Sequence, residues 1–281
     1  MRYLVTGASG QLGREFVELL DARGHEVLGL GRSELDVTDR RQVVDMISAV
    51  APDVVIHAAA MTAVDACESE ADAAFLANAV APRWVAAAAA DVGARVVLFS
   101  TDYVFSGELD RPYTEWDSTD PRSIYGLSKR GGEQAAGPGD LVVRTSWLCG
   151  QYGSNIVKTV LGLAEAGTEM AFVTDQVGNP SFASDVALAT LELVEHEVTG
   201  IAHLTNQGSA SWYEFVREIL SRSGHEPELV RPIITSELDP PRAAIRPKNS
   251  RLDNLVPRLH GLEATQPWRD GLTALLASLD G

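Results

Sequence analysis

The chain is predicted to be an α/β protein, with a Rossmann-type doubly wound parallel sheet and a smaller C-terminal substrate-binding lobe. Three observations carry this. A short apolar strand pattern, Arg2 to Thr6, runs into a turn with glycines at 7, 10 and 13 and then into a helix patterned on Leu12, Phe16, Val17, Leu19 and Leu20. Nearly continuous apolar runs such as Val54 to Ala60 recur between helical patterns, as strands buried on both faces require. Several of these runs end in small or hydroxyl-bearing residues, where a doubly wound sheet binds its ligand. Residues 1–150 are expected to form an NAD(P)-binding Rossmann domain. Residues 151–281 are expected to form mainly the lobe, with some segments returning to the sheet.

Composition narrows the function. With 281 residues and 45% hydrophobic content, the chain is long and apolar enough for a sizeable core. Its formal charge of −16 and lack of a basic run argue against nucleic acid as a partner. An anionic substrate would need local cations. Cys67 and Cys149 stand alone, which suggests neither a disulfide framework nor a zinc cluster. The first strand starts at about residue 2, and no apolar run approaches the ~18 residues of a membrane span. No membrane association and a cytoplasmic location are therefore expected.

The elements follow in order. In the first turn, Gly7, Ser9, Gly10, Gln11, Leu12 and Gly13 lie where free N–H groups at a helix start can hold a pyrophosphate. The second strand covers His25 to Leu30, after Gly24 as a helix terminator. No acid stands directly at its end. Arg32 with Ser33 suits a 2′-phosphate, which favours NADPH over NADH, and an ordinary loop arginine is the alternative. Asp36 and Val37 follow as further cofactor candidates, and Asp36 or Thr38 is expected to cap the next helix. The third strand ends in Ala58, Ala59 and Ala60, small enough for a flat cofactor to lie across them. His57 is expected to be a hydrogen-bonded strand residue rather than a catalyst.

A long alanine-rich helix is expected to reach about Ala90, with Asn78 tying it to a neighbouring strand. Strands follow at Arg95 to Thr101 and Leu141 to Ser146, separated by a polar loop from Asp102 to Ser123. Past Trp147 the pattern loosens into a helix at 155–166, a strand at 170–173 and a helix for which Asp185 is a candidate cap. A strand at 201–205, a helix opened by a Ser211–Glu214 capping box and a final helix at 267–279 complete the order.

The chemistry is concentrated in Ser123-Ile124-Tyr125-Gly126-Leu127-Ser128-Lys129. On a helix, Tyr125 and Lys129 share a face. A phenol is a poor acid or base near neutrality, and an ammonium beside it favours the phenolate and lowers its pKa. Tyr125 could then give its proton to a carbonyl oxygen as hydride reaches the carbon. Thr101 could offer that oxygen a second hydrogen bond, and Lys129 could also hold the nicotinamide ribose.

These motifs together resemble the extended short-chain dehydrogenase/reductases, and more narrowly the dTDP-4-dehydrorhamnose reductase family. The resemblance spans essentially the whole chain. It rests on the glycine turn, Ala58 to Asp65, Ser100 to Gly107, Tyr125 to Lys129 and Arg144 to Trp147. Asp175-Gln176-Val177-Gly178-Asn179-Pro180 and Arg246 to Ser250 extend it. Ser181 departs from the family's more usual threonine but keeps a hydroxyl. The resemblance implies Thr101, Tyr125 and Lys129 as the catalytic trio. It also implies a sugar-nucleotide pocket at Thr62, Val64, Asp102, Tyr103, Trp147, Asn179 and Arg246, to which Thr101 and Tyr125 also belong. For Arg246, a salt bridge to an acidic residue is the alternative.

The implied reaction is reduction of the C4 ketone of dTDP-4-dehydro-β-L-rhamnose to dTDP-L-rhamnose, with NADPH or NADH, as the last step of dTDP-rhamnose biosynthesis. Some relatives are magnesium-bridged dimers, so the resemblance allows Mg2+ and a homodimer. No metal site can be placed on the sequence, and none is predicted. The rival readings are a sister 4-ketoreductase making another deoxysugar and a non-catalytic NADP-binding regulatory subunit. A dehydratase would want a glutamate where Tyr103 stands.

Overall fold

The computed structural model describes residues 1–279, so the last two residues of the expected lobe lie outside the described residues. Six parallel strands form the main sheet: β1 (Arg2–Thr6), β2 (Glu26–Leu30), β3 (Val54–His57), β4 (Arg95–Thr101), β5 (Leu141–Thr145) and β6 (Gly200–His203). Their spatial order is β6-β5-β4-β3-β1-β2. Alternate side chains go to opposite faces. Tyr3, Val5, Val54, Ile56, Val97, Leu141 and Val143 share one core with the helices Gln11–Ala22 and Ala183–Glu195. Leu4, Val55, Val96, Leu98 and Val142 share the other with Arg40–Val50 and Ala81–Asp91.

After β2 the chain crosses back past β1 to form β3. The order therefore reverses between β1 and β3, and a ligand crevice is expected outside the carboxyl ends of those strands. Both the glycine turn and Ala58 to Ala60 lie at that end.

Two expected helix caps are corrected. Asp36 does not cap Arg40–Val50, because its carboxylate accepts both the backbone N–H (2.9 Å) and the hydroxyl (2.7 Å) of Thr38. Asp39 caps instead, accepting from the N–H groups of Arg41 and Gln42. Asp185 lies inside the first turn of its helix, where its carboxylate accepts from the amides of Asn206 and Gln266. The Ser211–Glu214 capping box forms as expected.

The alanine-rich helix is interrupted. Its α-helical turn Ala71–Phe75 widens into a π turn at Leu76–Val80 before Ala81–Asp91. Pro82 has no N–H for the carbonyl of Asn78, and its ring would crowd that oxygen in an α-helix. The freed carbonyl sits where Gly132 allows it, since a Cβ there would lie 2.2 Å from the oxygen. Residues 71–91 are long and apolar enough to cross a membrane by length and composition, at 21 residues and mean hydropathy 1.2. Here Ala81, Val85, Ala88 and Ala89 are buried against the sheet.

Beyond residue 150 the chain does two things. The helix Ala183–Glu195 and β6 complete the main sheet. The helices Ile156–Glu165, Trp212–Arg222 and Trp268–Leu279 build a separate core around Val160, Phe215, Ile219, Trp268 and Leu272. A parallel pair, Met170–Val173 with Val230–Ile233, flanks it.

Candidate active site

The cleft between sheet and lobe has a volume of about 430 Å3. Gly7, Gly10, Gln11, Leu12 and Gly13 form one wall, with Ala58 and Ala60 beside them. The turn is tight enough to demand glycine. Gly7 has φ +69°, and a Cβ on Gly13 would stand 2.3 Å from the Gly7 carbonyl oxygen. Gly10 precedes the helix without a side-chain cap, leaving the first N–H groups for a ligand. This cradle fits a dinucleotide pyrophosphate.

The remaining cofactor candidates fare differently. Ala59 packs under the turn, its backbone N 2.7 Å from where a Gly7 Cβ would be, and it does not line the cleft. Ser9 is exposed beside Gly31 at the end of β2, and Arg32 is exposed just beyond. Asp36 has its carboxylate committed to Thr38. Val37 has its side chain buried in the sheet's second core and does not line the cleft. Glu34 lies a little beyond the strand in sequence. Its carboxylate folds back 2.8 Å onto the N–H of Gly31, placing an acid at the strand end after all.

Thr101, Tyr125 and Lys129 meet on the opposite wall. Thr101 ends β4, donating to Asp102 Oδ1 at 2.9 Å and accepting from the Tyr103 N–H. The helix Ile124–Glu133 is set by Ser123, whose hydroxyl accepts from Gly126 N, and by Glu68, which accepts from Ile124 N. Gly126 lets this helix approach the Tyr103 carbonyl, since a Cβ there would come within 2.2 Å. The Tyr103 ring packs edge-on against Tyr125, with centroids 5.5 Å apart.

Burial pushes the Tyr125 phenol well above its ordinary value. The Thr101 hydrogen bond opposes the rise, and the Asp102 carboxylate adds to it. Lys129 is itself pushed down to about 8 by burial, against the pull of Glu133. The expectation that Lys129 tunes Tyr125 downward is therefore corrected. In this site desolvation is the largest influence on the phenol, and it favours the protonated form. That is the form a proton donor needs.

On the substrate side, Thr62, Val64, Asp102, Tyr103 and Trp147 all line the cleft. Asp102 is fully buried and pushed up to about 6 by that burial, with hydrogen bonds from Ser250 and Thr101 in opposition. Trp147 takes a left-handed φ of +46° and stacks on Trp212 at 3.7 Å, forming the lobe's face of the cleft. Gly178 is required behind it, because a Cβ would meet the indole at 2.6 Å.

Asn179 is a correction. Its amide donates to the Gly208 carbonyl and accepts from Leu252 N, so it ties the lobe together, and it does not line the cleft. Arg246 makes the alternative salt bridge, gripping Asp65 at 3.0 and 2.7 Å. That grip holds the Asp65 carboxyl down at about 2. Arg246 also donates to the Ala244 carbonyl, and it lies near enough to Tyr103 for the two to influence each other's titration.

Sequence reasoning missed Trp212 and Asn155, which also line the cleft. Asn155 donates to Gln11 Oε1 at 3.1 Å and so joins the lobe to the glycine turn. Thr145, whose buried hydroxyl has no partner, was signalled only as part of a strand ending in hydroxyls. Among the described residues, no three His, Cys, Asp or Glu side chains converge as a metal site.

Comparisons with known proteins show the family. The family described as RmlD substrate binding domain matches residues 1–280. A dTDP-4-dehydrorhamnose reductase of Streptomyces griseus is 41% identical, the match covering 100% of this chain and 94% of that protein. A 4-ketoreductase of Streptomyces antibioticus, described as probable and acting on dTDP-4,6-dihydroxy-2-methyloxan-3-one, is 40% identical over 97% of this chain and 93% of its own. The crystal structure of the Bacillus anthracis dTDP-4-dehydrorhamnose reductase in complex with NADP superposes with a TM-score of 0.94. It is 37% identical, covering 98% of each chain. With a shared fold, a matching family and whole-length relatives, this chain belongs to the dTDP-4-dehydrorhamnose reductase family.

Proposed function

We infer that the protein reduces the C4 ketone of dTDP-4-dehydro-β-L-rhamnose to dTDP-L-rhamnose with NAD(P)H. The observation that carries this is the meeting of Thr101, Tyr125 and Lys129 on one wall of a cleft whose other wall is the glycine cradle. Reduction of a ketone needs a hydride at carbon and a proton at oxygen. NAD(P)H, when bound, supplies the hydride. The N–H groups after Gly10 would hold its pyrophosphate, and Lys129 would meet its ribose.

The chain's own residues do the rest. Thr101 orients O4 by turning its hydroxyl proton from Asp102 Oδ1 to O4 when substrate is bound. Tyr125 gives O4 its proton, so the C=O bond becomes CH–OH and the phenol becomes phenolate. Lys129, charged below about pH 8, stabilises that phenolate. Trp147 on Trp212 closes the lobe side and limits how the sugar sits.

The nucleotide end must overcome a chain charge of −16. A groove of about 680 Å3 beside the cleft is lined by Arg122, Arg246, Lys248 and Arg251. Arg246 joins it to the cleft through Tyr103. We assign the substrate diphosphate to this groove, where these four cations outnumber the Glu108 and Asp110 carboxylates that also line it.

The test is oxidation of NADPH and of NADH with substrate made in place from dTDP-glucose by the upstream dehydratase and epimerase, followed by product identification. Epimerase-dependent oxidation yielding dTDP-L-rhamnose is the expected result, and it ranks the cofactors. The Streptomyces antibioticus relative favours a sister ketoreductase as the second reading, and a product differing at C4 would establish it. Tight NADP binding without turnover of any keto-sugar would point to a regulatory subunit. The same assay with EDTA reads any need for Mg2+.

A further inference from the structure

Behind Lys129 lies a small interior cavity that the mechanism leaves unused. Its volume is about 10 Å3, about what one water needs. His57, Asn78, Ser100, Lys129 and Glu133 bring polar groups to its wall. Most of these are already engaged. The Asn78 side chain bonds Met61 N, Met61 O and Ser128 Oγ. Ser100 donates to Glu133, and Glu133 is held by Arg144 from β5 at 2.7 and 2.8 Å. Two groups are left. His57 Nε2 is buried without a partner. Lys129 makes no hydrogen bond among the described residues.

The imidazole's state follows from its neighbours. His57 Nδ1 is 2.8 Å from Thr6 Oγ1. A neutral imidazole has one donor and one acceptor nitrogen. An Nε2–H would turn a second donor toward the ammonium. The other tautomer gives its proton to Thr6 and leaves Nε2 as a bare acceptor on the cavity side. Burial, with the Lys129 charge added, pushes His57 down to about 3, so it stays neutral near pH 7.

We propose that His57 is a positioning residue for Lys129. Its bare Nε2 accepts, through one water seated in the cavity, a hydrogen bond from the Lys129 ammonium. This rests on the reading of Tyr125 and Lys129 as the reacting pair. The contact holds the ammonium charged and fixed beneath Tyr125. The other groups facing it do less. Glu133 is shared with Arg144, Asn78 is spent on Met61 and Ser128, and Tyr125 holds its proton.

The first test needs no turnover, so its outcome is separate from that of the proposed reaction. In unliganded, 15N-histidine-labelled protein near neutral pH, His57 should be the Nδ1–H tautomer with Nε2 unprotonated. Lys129→Met should shift the Nε2 resonance. An Nε2–H tautomer, or a resonance indifferent to Lys129→Met, overturns the proposal. The second test is kinetic. His57→Leu should move the alkaline limb of kcat/KM for the sugar, at saturating NADPH, down by about one pH unit, as expected when an ammonium loses a charged-group hydrogen bond. His57→Gln, which keeps an acceptor, should restore most of the shift. A limb that stays in place in folded His57→Leu overturns the proposal, and if that variant does not fold the tautomer measurement decides.

Discussion

Replacing Tyr125 by phenylalanine isolates the proton donor from everything else the residue does. The ring is buried and packs edge-on against Tyr103, contacts that phenylalanine keeps. Only the hydroxyl, beside Thr101, is lost. A neutral hydrogen bond contributes about 1 kcal/mol net, and removing a buried hydroxyl offsets part of that loss. The fold should therefore stay within about 1 kcal/mol of wild type. The phenol is remote from the glycine turn, so NADPH affinity should change less than about threefold, or ~0.7 kcal/mol. Turnover should respond very differently. A positioned general acid is worth about 100- to 10,000-fold, or roughly 3 to 5 kcal/mol of barrier at about 1.4 kcal/mol per decade. The assay is loss of reduced-nicotinamide absorbance with the keto-sugar, beside a fluorescence titration with NADPH. Turnover within about threefold of wild type, in a folded variant that binds NADPH, would refute Tyr125 as the donor.

Other expectations follow from the same site. Lys129 falls from 10.5 in the unfolded chain to about 8 when folded, so burying its charge costs stability below about pH 8, and the cost fades as pH rises toward 10.5. Lys129→Met should thus raise the neutral-pH Tm while turnover falls at least about 100-fold, and a lowered Tm would show that the charge is fully compensated. Asp102 shifts the opposite way, from 3.8 to about 6. Asp102→Asn should stabilise the fold in full above about pH 6, by less as pH falls, and not at all below 3.8, with a pH-independent Tm difference counting against the buried carboxylate as the cause. Arg246→Ala should raise KM for the sugar nucleotide about tenfold or more with kcat little changed, as loss of a charged phosphate contact would, and an unchanged KM would remove Arg246 from the nucleotide groove.

The sheet and its ligand end were legible because their signals are local. Burial on both faces forces apolar runs at Val54 to Ile56 and Leu141 to Val143, and the order reversal between β1 and β3 puts the glycine turn and the three alanines at one crevice. Tyr125 and Lys129 were legible for a similar reason, being one helical turn apart. What the sequence concealed is which polar group chooses which partner. Asp36 and Asp39 both qualify as caps by type, and the choice falls to Asp39 only because Thr38 takes the Asp36 carboxylate. Asn179 lies in a motif that suggests a substrate contact, yet its amide bonds Gly208 and Leu252, distant in sequence, away from the cleft. Glu34 reaches the end of β2 only by folding back onto Gly31.

The catalytic pair shows the same division between what spacing fixes and what burial decides. Spacing places an ammonium under a phenol and so implies a lowered phenol pKa. The folded site surrounds that phenol with Tyr103, Asp102 and Cys67, and desolvation reverses the direction. For ketone reduction the reversal is an advantage, because a donor must reach the hydride step still carrying its proton. The ammonium then matters after transfer, when a phenolate exists to be stabilised. A residue that keeps Lys129 charged therefore acts on the product side of the proton transfer. His57 occupies that place in the structure, on the far side of Lys129 from the cleft.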